Sequence, residues 1–447
     1  MSKYPVIKPL EDPALDAAVA ALTTKQIKAA IDQVIDREAS ARLRIYQDTC
    51  VRCGLCATAC HSYLSRDRDP RFAPVAKVKD TLWRLVNERE RVTPVELRHM
   101  AEIAFLECGT CRRCSQYCPF GIDIAHLMLT VRRICHRLGL VPRYLQDTVD
   151  SHAATGNQMW IHQDEWIDTA LWQEEDACDE LAGARVPLER EGADIMYSVI
   201  APEPKILAQL MGNMAVVMKA AGMDWTYPDT DGWDNSNMAM YSGDFEVMGR
   251  VARKHWDTAM RLGVKRVVMG ECGHAFRGAM YDGPRWLGFK QPPLPLVHAI
   301  EFYWDLLESG KITIARKFDT PVTVQDPCNT VRGHGLGGKL REVIRAVCSD
   351  FRDMNPSLEH NYCCNAGGGL INCGPPGKPT RMASARVKAE QLAATGAEIC
   401  ITPCHNCHSG IEDVVGHYEL KMKTKFLIEI LAECIQLPGA GDQGAED

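Results

Sequence analysis

Twenty cysteines in a chain of 447 residues are the side chains best equipped for chemistry, and their spacing says which chemistry. Cys50, Cys53, Cys56 and Cys60 form one C-x2-C-x2-C-x3-C run, and Cys108, Cys111, Cys114 and Cys118 form a second, followed by Pro119. Three thiolates at three-residue spacing can wrap one face of an iron–sulfur cubane while loop N–H groups point at its sulfurs. The fourth, leaving on the next helix, reaches the other cluster. The pattern assigns Cys50, Cys53, Cys56 and Cys118 to one [4Fe–4S] cluster, and Cys108, Cys111, Cys114 and Cys60 to another. Zinc shares the C-x2-C spacing but has no use for an x3-C exit repeated twice. His61 replaces the proline usual after the fourth cysteine of the first run.

A third constellation lies far downstream. Cys328 follows a predicted strand, Cys363 and Cys364 are adjacent, and Cys404 and Cys407 follow another strand. Loops at the C-terminal ends of neighbouring parallel strands converge on one rim of a sheet. Five thiolates there exceed what one cubane or one zinc requires. The run Gly367-Gly368-Gly369 would let backbone pass close to a bulky inorganic object. Two other motifs read less well. Cys404-His405-Asn406-Cys407-His408 fits the haem-attachment pattern, yet haem attachment normally needs export and leaves Cys363 and Cys364 unexplained. The stretch Gly333–Leu340 is a near-miss phosphate loop, with Leu340 where a hydroxyl would bind magnesium, and reads as a glycine-rich turn.

Composition narrows the setting. At ~150 residues per domain the chain holds two or three domains. Its formal charge of −7, from 58 acidic and 51 basic residues, offers no cationic surplus for nucleic acid. The first thirty residues show no apolar signal core, and nothing approaches the ~20 apolar residues of a membrane helix. A cytoplasmic location is therefore expected, where clustered cysteines mean metal or redox chemistry rather than disulfides.

The elements that must position these thiols follow from periodicity. Apolar residues from Leu15 to Ile35 predict helix over 12–44. Thr93, Pro94 and Glu96 form a helix-initiating capping box, and a further helix runs from Asp123 to Gly139. Residues 143–192 are acidic and read as irregular. From 193 onward, strand-like runs at 195–200, 264–270, 321–326 and 398–403 alternate with helical ones, which predicts α/β units with parallel strands. The stretch 264–275 resembles 396–407, with Cys272 opposite Cys404, so two pseudo-repeats are expected.

The long helical insertion between the first two runs resembles the α-helical ferredoxin module of succinate dehydrogenase iron–sulfur subunits. The pattern C-x34-CC-x39-C-x2-C resembles the CCG domain of the heterodisulfide reductase family. Joined, they resemble the D-type subunit of membrane-bound heterodisulfide reductase and the iron–sulfur subunits of Dsr- and Tmc-type membrane complexes. The resemblance covers about 45 to 435. It implies an α-helical ferredoxin module followed by an α/β CCG domain made of two pseudo-repeats with parallel strands. The expected parts are an N-terminal helical segment (1–45), a two-cluster ferredoxin domain (46–140), a linker or wrapping segment (141–192), the CCG domain (193–437) and a flexible tail (438–447). Within the CCG domain the first, cysteine-poor copy covers about 193–280 and the second about 318–415.

The resemblance also implies that Cys328, Cys363, Cys364, Cys404 and Cys407 hold a non-cubane [4Fe–4S] cluster that handles a disulfide. The first copy keeps only Cys272, counted here among the cofactor-binding candidates, so one special cluster is expected. His274, His405 and His408 are candidates to deliver a proton to a departing thiolate, or to donate hydrogen bonds to cluster sulfurs. Implied partners are a membrane subunit carrying haem b or a quinone site, and a small-protein or thiol disulfide as substrate. The chain would sit on the inner face of the cell membrane through those subunits. The alternative is a relay without its own substrate, linking a flavin dehydrogenase for a 2-hydroxyacid or glycerol 3-phosphate to quinone.

Other residues read as structure. Cys135, Cys178, Cys348, Cys373, Cys400 and Cys434 lack partner spacing and are expected as packed thiols. Trp160, Trp166 and Trp172 are expected to pack in the core or between domains rather than at a membrane edge or subunit-docking surface. Arg52, Arg112 and Arg113 flank the clusters, either raising their potential or standing as solvated loop residues.

Overall fold

The computed structural model of the chain describes residues 10–38 and 41–438. The expected tail lies outside the described residues apart from Pro438. The helix expected over 12–44 is broken into Pro13–Ala20, Thr24–Asp32 with a π-helical continuation Gln33–Glu38, and Ala41–Thr49. The break has a local cause: Thr23 and Gln26 form a reciprocal capping box that restarts the helix inside the apolar period. Short helices follow the first cysteine run, and Pro94–Leu106 begins at its Thr93–Glu96 capping box as read. Ile124–Arg137 is capped by Asp123, which accepts from the His126 N–H, and its chain turns at Gly139.

The stretch 143–192 corrects the sequence reading. It contains two well-formed helices, Arg143–Thr155 and Gln163–Glu180. The second buries Trp166, Ala170, Gln173 and Ala177 along one stripe. Trp166 stacks on Trp233 at 4.7 Å and donates to the Pro228 carbonyl, whereas Trp160 and Trp172 are 47% and 56% exposed. The packing expected of the three tryptophans therefore holds for Trp166.

Two small all-parallel sheets make up the remainder. The first has order β2-β1-β3-β4, from β1 (Ile195–Ser198), β2 (Trp225–Thr226), β3 (Arg266–Met269) and β4 (Leu296–His298). The second has order β5-β6-β7, from β5 (Val322–Val324), β6 (Ile399–Ile401) and β7 (Lys423–Lys425). A parallel bridge from Val322 to Phe351 occupies, beside β5, the place that β2 holds beside β1. Both sheets therefore share one strand order, which is the expected pseudo-repeat. β1, β5 and β6 are buried along their whole length, as parallel strands covered on both faces must be. One core joins the two copies through Phe302, Tyr303, Leu340, Ile344, Leu427 and Leu431. A second core fuses the ferredoxin region to the first copy through Met128, Val131, Leu145, Tyr241 and Met248. Among the described residues no helix is long and apolar enough to cross a membrane.

Candidate metal centre

The two cysteine runs share an unusual backbone. Arg52 and Gly54 in the first, and Thr110 and Arg112 at the same places in the second, have φ of 55°, 81°, 49° and 64°. Alternating left-handed residues curl a loop inward and turn its N–H groups toward one centre. Gly54 takes this conformation without cost, while Arg112 takes it against preference. One hollow is walled by Cys50, Cys53, Cys56 and Cys118 together with Val78, Trp83 and Phe120. A second is walled by Cys60, Cys108, Cys111 and Cys114 with Lys77 and Met128. Each hollow thus gathers three cysteines of one run and the last cysteine of the other. Burial pushes the Cys56 thiol up to about 11, and pushes Cys114 well above the usual thiol range, with neighbouring sulfurs adding to both. Four thiolates packed in an apolar hollow repel one another, and the positively charged core of an iron–sulfur cluster would relieve them.

The third set converges at the rim facing the first copy. Cys364 is in hydrogen-bonding contact with the thiols of Cys363 and Cys407, and these hold it well below the usual thiol range. The N–H groups of Gly367 and Ala366 assist. Cys404 is lowered first by its contact with Cys407, and receives help from the Gly273 N–H of the first copy. Burial pushes Cys328 up to about 12, with the sulfurs of Cys111, Cys364 and Cys404 close by. Cys404 also caps the helix His405–His417, so the positive end of that helix faces the thiolates. Five thiols, loop N–H groups and a helix N-terminus form a donor set suited to a negatively charged iron–sulfur cluster.

The third set abuts the second hollow. The ligand atoms of Cys111, Cys363 and His61 all lie within 4.8 Å of one another. His61, noted from sequence only as a replaced proline, is thus buried between the two sites. The glycine run is also used differently than expected. A Cβ on Gly368 would lie 2.2 Å from the Gly109 carbonyl, so Gly368 admits the backbone of the second cysteine loop, whereas Gly369 packs on Leu145 and Tyr241 and Gly367 borders open space.

Arginines sew the seam, and the sequence did not single out the principal one. Arg132 is fully buried and donates to the carbonyls of Ala104 (2.9 Å), Cys108 (2.7 Å), Tyr241 (2.9 Å) and Gly368 (2.6 Å). Arg332 donates to Cys111 and Asn361, and Arg113 to Ala59 and His360. Arg113 is buried, which corrects the solvated reading for that residue. Arg52 stacks over Trp83, and Arg112 stands 3.5 Å from Asp123.

The three histidines are buried, and each has a ring nitrogen paired with a group other than the five thiols. His405 Nδ1 pairs with the Glu271 carbonyl at 2.8 Å and its Nε2 stands 3.3 Å from Glu203. His408 Nδ1 pairs with Thr402 at 2.9 Å, its ring stacked on Phe426. His274 Nδ1 is 3.1 Å from the Cys272 sulfur and 2.9 Å from the Asn406 amide. Burial lowers His274 and His405 to about 3, so both are neutral near pH 7. Cys135, Cys348, Cys373, Cys400 and Cys434 are buried, while Cys178 is half-buried against the Ala184 carbonyl.

A 4Fe-4S dicluster domain model matches residues 46–122, and the cysteine-rich CCG domain model matches residues 322–412. The chain is 26% identical to the Hdr-like menaquinol oxidoreductase iron-sulfur subunit of Archaeoglobus profundus, across 91% of this chain and 82% of that protein. It is 25% identical to the D-type subunit of the dihydromethanophenazine:CoB–CoM heterodisulfide reductase of Methanosarcina barkeri, across 87% and 94%. It is 21% identical to the EtfAB:quinone oxidoreductase of Syntrophomonas wolfei, across 85% of this chain and 56% of that protein. The resemblance read from the cysteine spacing is thus found over most of the chain, with both domain types present.

Proposed function

We propose that this chain is the iron–sulfur subunit of a membrane-associated oxidoreductase complex, carrying electrons through two [4Fe–4S] clusters to or from a five-cysteine, non-cubane [4Fe–4S] cluster where a disulfide is reduced or formed. The ligands are Cys50, Cys53, Cys56 and Cys118; Cys60, Cys108, Cys111 and Cys114; and Cys328, Cys363, Cys364, Cys404 and Cys407. The observation that carries this is the approach of Cys111 to Cys363, whose sulfurs lie within 4.8 Å of each other and so bring the second and third sites side by side. Reduction consumes two electrons and two protons per disulfide and releases two thiols, and the third cluster supplies one-electron chemistry at the sulfur. The two ferredoxin sites would be contributed by residues 46–140, the third by the 193–437 region, with 141–192 wrapping between them. Iron and acid-labile sulfide analysis on anaerobically purified protein tests the scheme: about twelve iron atoms per chain are expected. A count near eight removes the third cluster, and stoichiometric zinc at any of the three sites overturns it there.

The membrane partner of this reading is a haem- or quinone-bearing subunit on the inner face of the cell membrane. In fractionated native cells the chain should follow the membranes and be released by detergent or chaotrope. Recovery as a free monomer in the extract would reject the membrane complex. A substrate-free relay to quinone draws support from the likeness to the EtfAB:quinone oxidoreductase. It differs from the disulfide reading in needing no place for a disulfide.

A further inference from the structure

The chain is acidic overall, yet one cleft is not. Two adjoining chambers of about 410 Å³ and about 470 Å³ lie between the ferredoxin region and the first CCG copy. They share Arg42, Arg112, Asp123, Arg277, Asp282 and Arg285 in their walls. Among the described residues, six arginines and two aspartates line the two chambers, with no other carboxylate in their walls. Both aspartates are already engaged. Asp282 accepts from Arg277 Nε at 2.7 Å, and Asp123 caps the helix behind it and stands beside Arg112.

Arg277 is 4% exposed, yet its Nη1 has no hydrogen-bond partner. A buried guanidinium nitrogen without an acceptor is costly, and the cost falls when a ligand oxygen arrives. Arg112 Nε makes no hydrogen bond either, its one carboxylate neighbour being Asp123 at 3.5 Å. Arg42 and Arg285 are exposed at the cleft and have no carboxylate partner among the described residues. The wall of the second chamber includes Arg332 and Gly333, the last residue of the turn Cys328–Arg332 and the one after it. Cys328 is half-buried, the least enclosed of the five.

The structure assigns this cleft as a binding site for a small carboxylate- or phosphate-bearing molecule; resting on the function proposed above, that molecule is the acidic disulfide or thiol substrate, held by its acidic group while its sulfur reaches toward Cys328. Guanidinium forks match such oxygens in pairs, and an unpaired buried fork rejects a neutral analogue.

The test is isothermal titration calorimetry on the full, cluster-loaded chain with three probes. 3,3′-Dithiodipropionate is a dianionic disulfide, suberate is a dianion of the same length without sulfur, and bis(2-hydroxyethyl) disulfide is neutral. Both dianions should bind, and the neutral disulfide at least about tenfold more weakly. The double change Arg42→Glu with Arg285→Glu, at exposed positions clear of the cysteines, should weaken both dianions by about tenfold or more. Equal affinity for the neutral disulfide, or dianion binding untouched by charge reversal, overturns the cleft. A separate readout isolates the parent reading. If both dianions bind but dithiodipropionate fails to reoxidise the reduced clusters by EPR, the acid site stands and the disulfide reaction falls.

Discussion

Changing Cys364→Ala should abolish disulfide turnover while leaving the two ferredoxin clusters in place and reducible. Cys364 is the hub of the third set, with Cys363 on one side and Cys407 on the other, and Cys404 reached through Cys407. Its sulfur also takes the N–H groups of Ala366 and Gly367. Alanine keeps the backbone and its φ/ψ but removes the sulfur that ties these thiols together, so the remaining four no longer enclose a common centre. Neither ferredoxin hollow includes Cys364 in its wall, and their eight ligands stay where they are. Iron should fall from about twelve to about eight atoms per chain, with the EPR signature of the third site lost and those of the other two retained. Electron delivery into the ferredoxin clusters from a low-potential dye should continue at the parental rate. A variant that keeps full thiol–disulfide activity with the third signal gone would sink the disulfide mechanism. If quinone-linked electron flow through the native complex survived intact as well, the third site would be dispensable to the wire.

What could be read from the sequence was what local chemistry dictates. Ligand spacing is fixed by the size of a cubane, so the crosswise grouping of the eight cysteines could be drawn without a fold, and the two hollows gather them in that grouping. The third set was legible because strand ends of parallel sheets converge, and β5 and β6 do place Cys328 and Cys404 at one rim. Helices whose start is signalled by side chains, at Thr93 and Asp123, were also within reach. Gln163–Glu180 was not, because its buried stripe of Trp166, Ala170, Gln173 and Ala177 contains a single large apolar residue among many acids. Its burial is a property of what packs against it. β5 and β6 are three residues long but wholly buried and apolar or β-branched, which made them visible, whereas β2 has only two residues and β7 is the polar Lys423-Thr424-Lys425. The contacts of His61 and Gly368 were not foreseen for a related reason. Their roles exist only where the second cysteine loop meets the CCG domain, a seam between segments some 250 residues apart. Sequence spacing carries no signal across such a gap.

The same seam carries the second large effect expected, at Arg132. Its guanidinium is fully enclosed, stacked 5.0 Å from the Phe105 ring centre, and spends its donors on four carbonyls. Two of these acceptors, Cys108 and Gly368, belong to the second cysteine loop and the glycine run that packs on it. A third, Tyr241, belongs to the first CCG copy, so one side chain bonds all three parts. Arg132→Met preserves the stem and much of the volume but leaves buried carbonyls without donors. At ~1–3 kcal/mol for each unsatisfied group, the seam should lose on the order of 4 kcal/mol after local relaxation. That is a large share of the stability of an ordinary domain. The loss should be local. Hydrogen exchange should accelerate across 108–114 and 367–370, while β1 and β3 keep their protection, and iron should be lost first from the hollow walled by Cys60, Cys108, Cys111 and Cys114. Arg132→Lys, which keeps the charge but cannot fork to four acceptors, should fall between the two. If Arg132→Met shows parental exchange at 108–114 and 367–370 together with parental iron content, the arginine does not hold the seam, and the contact between Cys111 and Cys363 must be maintained by packing alone.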